Sequence, residues 1–132
     1  MMDVQPYQSK YLSTLKSWWE HYDAADLEPE ITIPSTGGVV IGDDGPICAG
    51  FAYLPMHCPS CFFERMVGKP GVGGVVMREA GAMLDEYLRE LAKLYGYKVA
   101  YCQIRRPGME KVLSERGYVT TAKDVTLMGI RL

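Results

Sequence analysis

The segment 76–95 constrains the fold most. Val76, Ala80, Met83, Leu84, Tyr87, Leu88, Leu91 and Tyr95 recur at helical spacing, and Asp85, Glu86, Arg89, Glu90 and Lys93 take the opposite face. Gly96 stands where helices commonly end. A helix of this length has to bury its apolar stripe against a broad surface. The flanking runs offer one, since "CFFERMVG" before it and "YKVAYCQI" after it are both β-prone. A long helix between two strands is a crossover connection, and it sets the strands parallel.

The rest of the chain fills in around that unit. "GGVVIGDDGPICAGFAYL" is punctuated as a hairpin, with Asp43-Asp44-Gly45 as its tight turn. "FFERMVG" follows and makes the pair a three-stranded antiparallel meander. Upstream, "SKYLSTLKSWWEHY" (9–22) puts Tyr11, Leu12, Leu15, Trp18, Trp19 and Tyr22 on one helical stripe, with Ser9 placed to cap it. Of the two tryptophans, an amphipathic helix is expected to bury one and leave the other partly exposed, or to offer both to a cleft. Residues 23–36 form an irregular acidic stretch with two prolines. Downstream, "RPGMEKVLSERG" reads as a short helix with Pro107 in its first turn and Gly117 at its end. "YVTT" and "VTLMGIRL" read as two closing strands. The order α, β-β-β, α, β, α, β-β predicts an α+β fold: a mixed, mostly antiparallel sheet flanked by helices.

With 132 residues, no repeat and no low-complexity linker, the expectation is one domain, 1–132. Hydrophobic residues at 48% are enough for a core without disulfides. A formal charge of −2 gives no field that would draw nucleic acid. The apolar run "ICAGFAYLPM" is far short of the ~20 residues of a membrane span. "MMDVQPYQSKYL" lacks the basic start and apolar core of a secretory signal. The expected place is therefore the cytoplasm, where Cys48, Cys58, Cys61 and Cys102 would be free thiols.

The segment "ERMVGKPGVGGVVMREA" (64–80) carries the chemical signal. A strand ends, a glycine-rich loop follows, and a long helix begins. Backbone N–H groups at a helix start attract phosphate, and glycines let the anion approach. The loop is not the nucleotide-triphosphate type, because Lys69 is followed by Pro70. Nor is it the dinucleotide fingerprint, whose third glycine would fall on Val76. A turn that holds no ligand accounts for the glycines equally well.

Taken in order, the two tryptophans of the first helix, "IPSTGGVVIGDDGPICAGFAYL", "CFFERMVGKPG", the long helix, "GYKVAYCQI" and "LSERGYVTT" resemble the GNAT superfamily of acyl-CoA-dependent N-acetyltransferases. More narrowly, the chain resembles the small GNAT-like proteins found in phages and prophages. The resemblance covers nearly the whole chain. It implies a V-shaped split between "CFFERMVG" and "YKVAYCQI" that takes the pantetheine arm of acetyl-CoA, the acyl donor. It also implies a pyrophosphate site on Gly71, Val72, Gly73, Gly74 and Val75, with Lys69 and Arg78 as the nearby cations. Backbone N–H groups near Met66 or Val67 would serve the oxyanion.

The implied reaction is transfer of an acetyl group to an amine by direct attack. Glu64 is the candidate base, because a carboxylate in an apolar strand has a raised pKa suited to taking an amine proton. The competing reading is that Glu64 pairs with a cation on a solvated face. Strand alternation puts Glu64 and Met66 on one face and Arg65 on the other. Many GNAT enzymes have a tyrosine four residues before the glycine that here is Gly117. That place holds Leu113, which cannot protonate a thiolate; Ser114, Tyr101 and Tyr118 are near it in sequence only. Arg105 and Arg106 follow the fifth strand. Asp23, Asp26, Glu28 and Glu30 hint at a cationic acceptor, and the last strand could pair across a homodimer.

Two other classes compete. "HCPSC" (57–61) has Cys-x-x-Cys spacing, but His57, Cys58 and Cys61 supply three zinc ligands at best, and a strand follows rather than a redox helix. It is read as a turn, so no metal is expected, and serine at Cys58 and Cys61 should leave fold and cofactor binding nearly intact. The second rival is a catalytically reduced GNAT-fold module that binds acyl-CoA or a protein partner, which Leu113 favours.

Overall fold

The computed structural model describes residues 1–23, 28–104, 106, 108–126 and 128–132. It divides into two units, Met1–Cys102 and Gln103–Leu132. The first unit holds a five-stranded sheet in the order β1-β2-β3-β4-β5. Its strands are β1 (Asp3–Pro6), β2 (Gly37–Gly42), β3 (Gly45–Tyr53), β4 (Ser60–Gly68) and β5 (Val99–Tyr101). The first three pairings are antiparallel, and β4 with β5 is parallel. This is the mixed, mostly antiparallel sheet that the element order predicts. The hairpin turns at Asp43-Asp44.

The helix α3 (Gly74–Leu94) crosses from β4 to β5 as its spacing requires. It buries Ala80, Leu84, Leu88 and Ala92 on one sheet face, against Val40, Cys48, Ala52, Cys61 and Phe63. Gly96 adopts φ +84 and closes the helix: its N–H donates to the Lys93 carbonyl, and the Tyr97 N–H donates to Ala92. Asp85 is not on the solvated face. It is buried at 8% exposure because its carboxylate pairs with Arg89 Nε, one turn on, at 3.0 Å.

The other face is covered by α1 (Leu12–His21), preceded by one 3-10 turn. Leu15, Trp18 and Trp19 pack with Val39, Ala49, Phe51 and Val67. Both tryptophans are core residues, at 6% and 4% exposure, so neither lines a cleft. Neighbouring helix positions are about 100° apart, and a stripe of that width admits both. The short helix α2 (Pro29–Thr32) follows within the acidic stretch. There Glu30 pairs with Lys16, and Asp26 lies outside the described residues.

The first strand, β1, is an addition to the predicted order. "DVQP" has no alternating pattern, yet it pairs along β2 as an edge strand, where a proline is tolerated. β5 is shorter than "YKVAYCQI" suggests. In the second unit, α4 (Met109–Glu115) ends at Gly117, whose φ is +96, while Pro107 lies outside the described residues. The two closing strands are absent among the described residues of 118–132. β-prone composition supplies the residue type, but a strand also needs a backbone partner. Val119, Val125 and Ile130 instead stand exposed.

Candidate active site

The site candidates converge on the second half of β4. Its pairing with β5 is brief: Ser60 lies opposite Val99, Cys61 opposite Ala100, and Phe62 opposite Tyr101. β4 runs on to Gly68 with no described partner on that side. The two parallel strands therefore part at Phe62 and Tyr101.

β4 is bulged at the same place. Phe51 stands opposite Glu64 and Ala49 opposite Val67, so Arg65 and Met66 together face the single residue Gly50. Arg65 sits at φ +62, a left-handed backbone that a non-glycine residue rarely holds. The extra residue also overturns simple alternation. Glu64 shares the α1 face with Phe51 and Val67, whereas Met66 is carried to the α3 face. A Cβ on Gly50 would meet Met66 Sδ at 2.0 Å and Leu84 Cδ2 at 3.2 Å, so glycine leaves the space that Met66 fills. An isolated glycine inside a strand is the sequence signal for such a bulge.

The backbone follows the bulge. The Ala52 N–H donates to Thr36, toward β2, so Phe51 bonds toward β4 and meets Glu64. The Lys69 N–H donates to Ile47, and Val67 therefore also bonds toward β3. Arg65 and Met66 stand between these two laddered residues.

Glu64 and Arg65 are half-buried, and both act on Tyr53. Burial pushes the Tyr53 phenol up. A hydrogen bond from Arg65 and its positive charge oppose that shift, and the Glu64 charge adds to it. The Tyr53 hydroxyl also donates to the Thr32 carbonyl at 2.7 Å, tying β3 to α2. Cys102, just past β5, is pushed up to about 11 by burial and by the charges of Glu64 and Asp85. It is therefore a protonated thiol at neutral pH and a poor acyl acceptor.

The glycine loop leads from β4 to α3. Gly71 adopts φ +85, and Gly73 is the N-cap of α3 with no side-chain cap. The helical ladder starts with the Met77 N–H donating to the Gly73 carbonyl. The amides of Gly74, Val75 and Val76 thus precede the first intrahelical bond. A Cβ built on Gly71, Gly73 or Gly74 would meet nothing within 4 Å. Helix-start amides outside the ladder, beside glycines whose Cβ positions are open, fit an anionic group such as a pyrophosphate. Val72 is half-buried, while Val75, Lys69 and Arg78 are exposed.

The remaining candidates belong to other elements. Leu113 and Ser114 belong to α4, Tyr118 and Arg106 to the same second unit, and Arg105 lies outside the described residues. Tyr101 ends β5, its ring 5.9 Å from that of Phe62. "HCPSC" is a turn only in part: His57, Cys58 and Pro59 end the β3–β4 connection, and Ser60 and Cys61 open β4. The connection is held by Tyr97 Oη donating to the Pro55 carbonyl at 2.6 Å and by the Lys98 N–H donating to Pro59 at 2.8 Å. Cys58 is exposed, Cys61 is fully buried in the core, and all four cysteines are free. Among the described residues no three His, Cys, Asp or Glu side chains cluster to hold a metal, and no helix is long and apolar enough to cross a membrane.

No protein-family model and no curated protein matches the chain. Solved structures do. Aminoglycoside N-acetyltransferase AAC(6')-Iy in complex with CoA superposes with a TM-score of 0.69 at 17% identity, covering 98% of this chain and 95% of that one. An acetyltransferase of the GNAT family from Streptococcus pneumoniae gives 0.65 at 11% identity, covering 99% and 97%. A transcriptional regulator from Bacillus halodurans gives 0.71 at 10% identity, covering 98% and 100%. At such identities the likeness is one of architecture, and the chain has the fold of the GNAT acetyltransferases.

Proposed function

We propose that the chain is an acetyl-CoA-dependent N-acetyltransferase acting on an amine by direct attack. One observation carries this: the parted, bulged half of β4 leads through the glycine loop to the uncapped start of α3, in a fold shared with CoA-bound acetyltransferases. Acetyl-CoA would supply an acyl group activated as a thioester. Gly71, Val72, Gly73, Gly74 and Val75 would hold its pyrophosphate through backbone amides, with Arg78 one turn into the helix.

Glu64 would take the proton of the acceptor nitrogen, directly or through water. That nitrogen forms the amide bond as the carbon–sulfur bond breaks, and the departing thiolate takes a proton from solvent. Solvent is proposed as the donor because the sequence place where the resemblance implies a tyrosine holds Leu113. The oxyanion donor would be the Met66 N–H in preference to that of Val67, because Val67 is committed to the ladder with β3. Cys102, a neutral thiol, supports direct attack over a route through an acyl-cysteine.

The whole chain, 1–132, acts as one domain in this reading, supported by its coverage of 95% of the length of AAC(6')-Iy. Four free cysteines favour the cytoplasm. The phage-type affiliation has the order of the sequence motifs as its support. Nucleic acid and membrane are not expected partners at a formal charge of −2. Leu113 favours the second reading, a module that binds acyl-CoA without turnover.

Thermal stabilisation by acetyl-CoA, followed by thiol release with a panel of amines, tests the proposal. Stabilisation with amine-dependent thiol release is expected. Stabilisation alone would favour the binding module, and no stabilisation at millimolar acetyl-CoA would remove both readings.

A further inference from the structure

The proposed reaction leaves the acceptor unnamed, and the sheet face that carries Glu64 bears a row of aromatic rings. Tyr53 stands opposite Phe62, and Phe62 opposite Tyr101, on three neighbouring strands. Partners in register project from the same face of a sheet. The Phe62 and Tyr101 rings lie 5.9 Å apart at 34°. Phe62 remains 43% exposed and Tyr101 41%. Tyr53 is half-buried and anchored to Thr32.

Glu64 is two residues past Phe62, before the bulge begins, so it shares that face about 7 Å further along the strand. The Tyr53 phenol responds to both Glu64 and Arg65, which makes the row and the two charges one neighbourhood. Phe62 and Tyr101 are also the last paired residues before β4 and β5 part. The rings therefore stand where the two strands begin to part, two residues before Glu64.

Exposed ring faces gain most from a flat apolar body, and they attract an ammonium group as well. A polyhydroxylated body would lose water there and find no partner on Phe62. The geometry points to an acceptor whose primary amine is carried on a small aromatic body. The body stacks on Phe62 and Tyr101, and the nitrogen reaches toward Glu64. Arylalkylamines and aromatic amino acids share this chemistry, and Arg65 distinguishes them, since its guanidinium would pair only with a carboxylate. The assignment rests on the acyltransferase reading.

The test is amine-dependent thiol release from acetyl-CoA with 2-phenylethylamine, phenylalanine, spermidine and glucosamine, in the full chain and in Phe62→Leu and Tyr101→Leu. One aromatic amine should exceed spermidine and glucosamine at least tenfold in kcat/KM. Each leucine variant should lose that preference while acetyl-CoA still stabilises it, which shows that the fold is kept. Preference for 2-phenylethylamine would indicate a free amine, and preference for phenylalanine an amino acid. If acetyl-CoA binds but spermidine or glucosamine is preferred, no aromatic amine reacts, or the leucine variants keep the selectivity, this inference fails and the acyl-CoA reading stands. If acetyl-CoA does not stabilise the protein, both fail.

Discussion

Glu64 and the two "HCPSC" cysteines show how much one position decides. Glu64 lies at the last regular pair before the bulge, on the α1 face with Phe51. As the proposed base, its replacement in Glu64→Gln keeps the shape but not the proton acceptor. Thiol release should then fall roughly 10²–10⁴-fold with acetyl-CoA stabilisation unchanged. A variant that keeps full activity would take Glu64 out of the chemistry. The cysteines separate differently. Cys58 is exposed, and its thiol is shifted down by hydrogen bonds with the Ser60 backbone and side chain, so it should be alkylated first and Cys58→Ser should be neutral. Cys61 is fully buried and its thiol is pushed up by that burial. Cys61→Ser places a hydroxyl in the core and should cost about 1–3 kcal/mol in denaturant unfolding. The pair is therefore not interchangeable, and the burial of Cys61 overturns the expectation that serine at both positions would leave the fold nearly intact. An equal loss in both variants would mean that the loop, not the core, sets the cost.

At the scale of elements, α3 shows which features a sequence makes legible. Its length, its stripe and its closing glycine were all readable, because they depend on local spacing and on backbone freedom at one residue. The crossover to a parallel neighbour followed from that length. The bulge was not readable, and with it the faces of Glu64 and Met66, because alternation assumes a ladder without an extra residue. Gly50 was its only trace. The pairing of β1, and the lack of closing strands among the described residues, were hidden for a related reason: pairing depends on a partner, and propensity does not name one. The start of α3 yields a sharp test. Gly73 has an extended backbone at φ −61 and ψ 147, open space at its Cβ, and no cap. Gly73→Asp supplies a favoured cap and should stabilise the fold by about a few tenths of a kcal/mol. The same carboxylate faces the proposed pyrophosphate and should weaken acetyl-CoA binding roughly tenfold or more. A variant in which fold stability and cofactor affinity rise together would remove the pyrophosphate site from this loop.

At the scale of the whole molecule, the exposed apolar residues of the second unit bear on assembly. Val125, Met128, Ile130 and Leu132 stand at 61–110% exposure. A homodimer that uses this segment would cover them, and light scattering should then give twice the mass of the chain. A concentration-independent monomer would rule that out. The brief parallel pairing of β4 with β5 has a consequence for the order of folding. β2, β3 and β4 are joined by short turns and can zip from neighbour to neighbour. β5 reaches the sheet only after the 21 residues of α3 have been laid across it, and it is held there by only three register pairs. Long-range contacts form after local ones because the chain between them must first be ordered. The meander should therefore be the early nucleus and β5 a late arrival. In the native protein the amides of 99–101 should open to hydrogen exchange at a lower free energy than those of β2 and β3. The cleft proposed for the acyl donor would then be the last part of the first unit to form and the first to be lost.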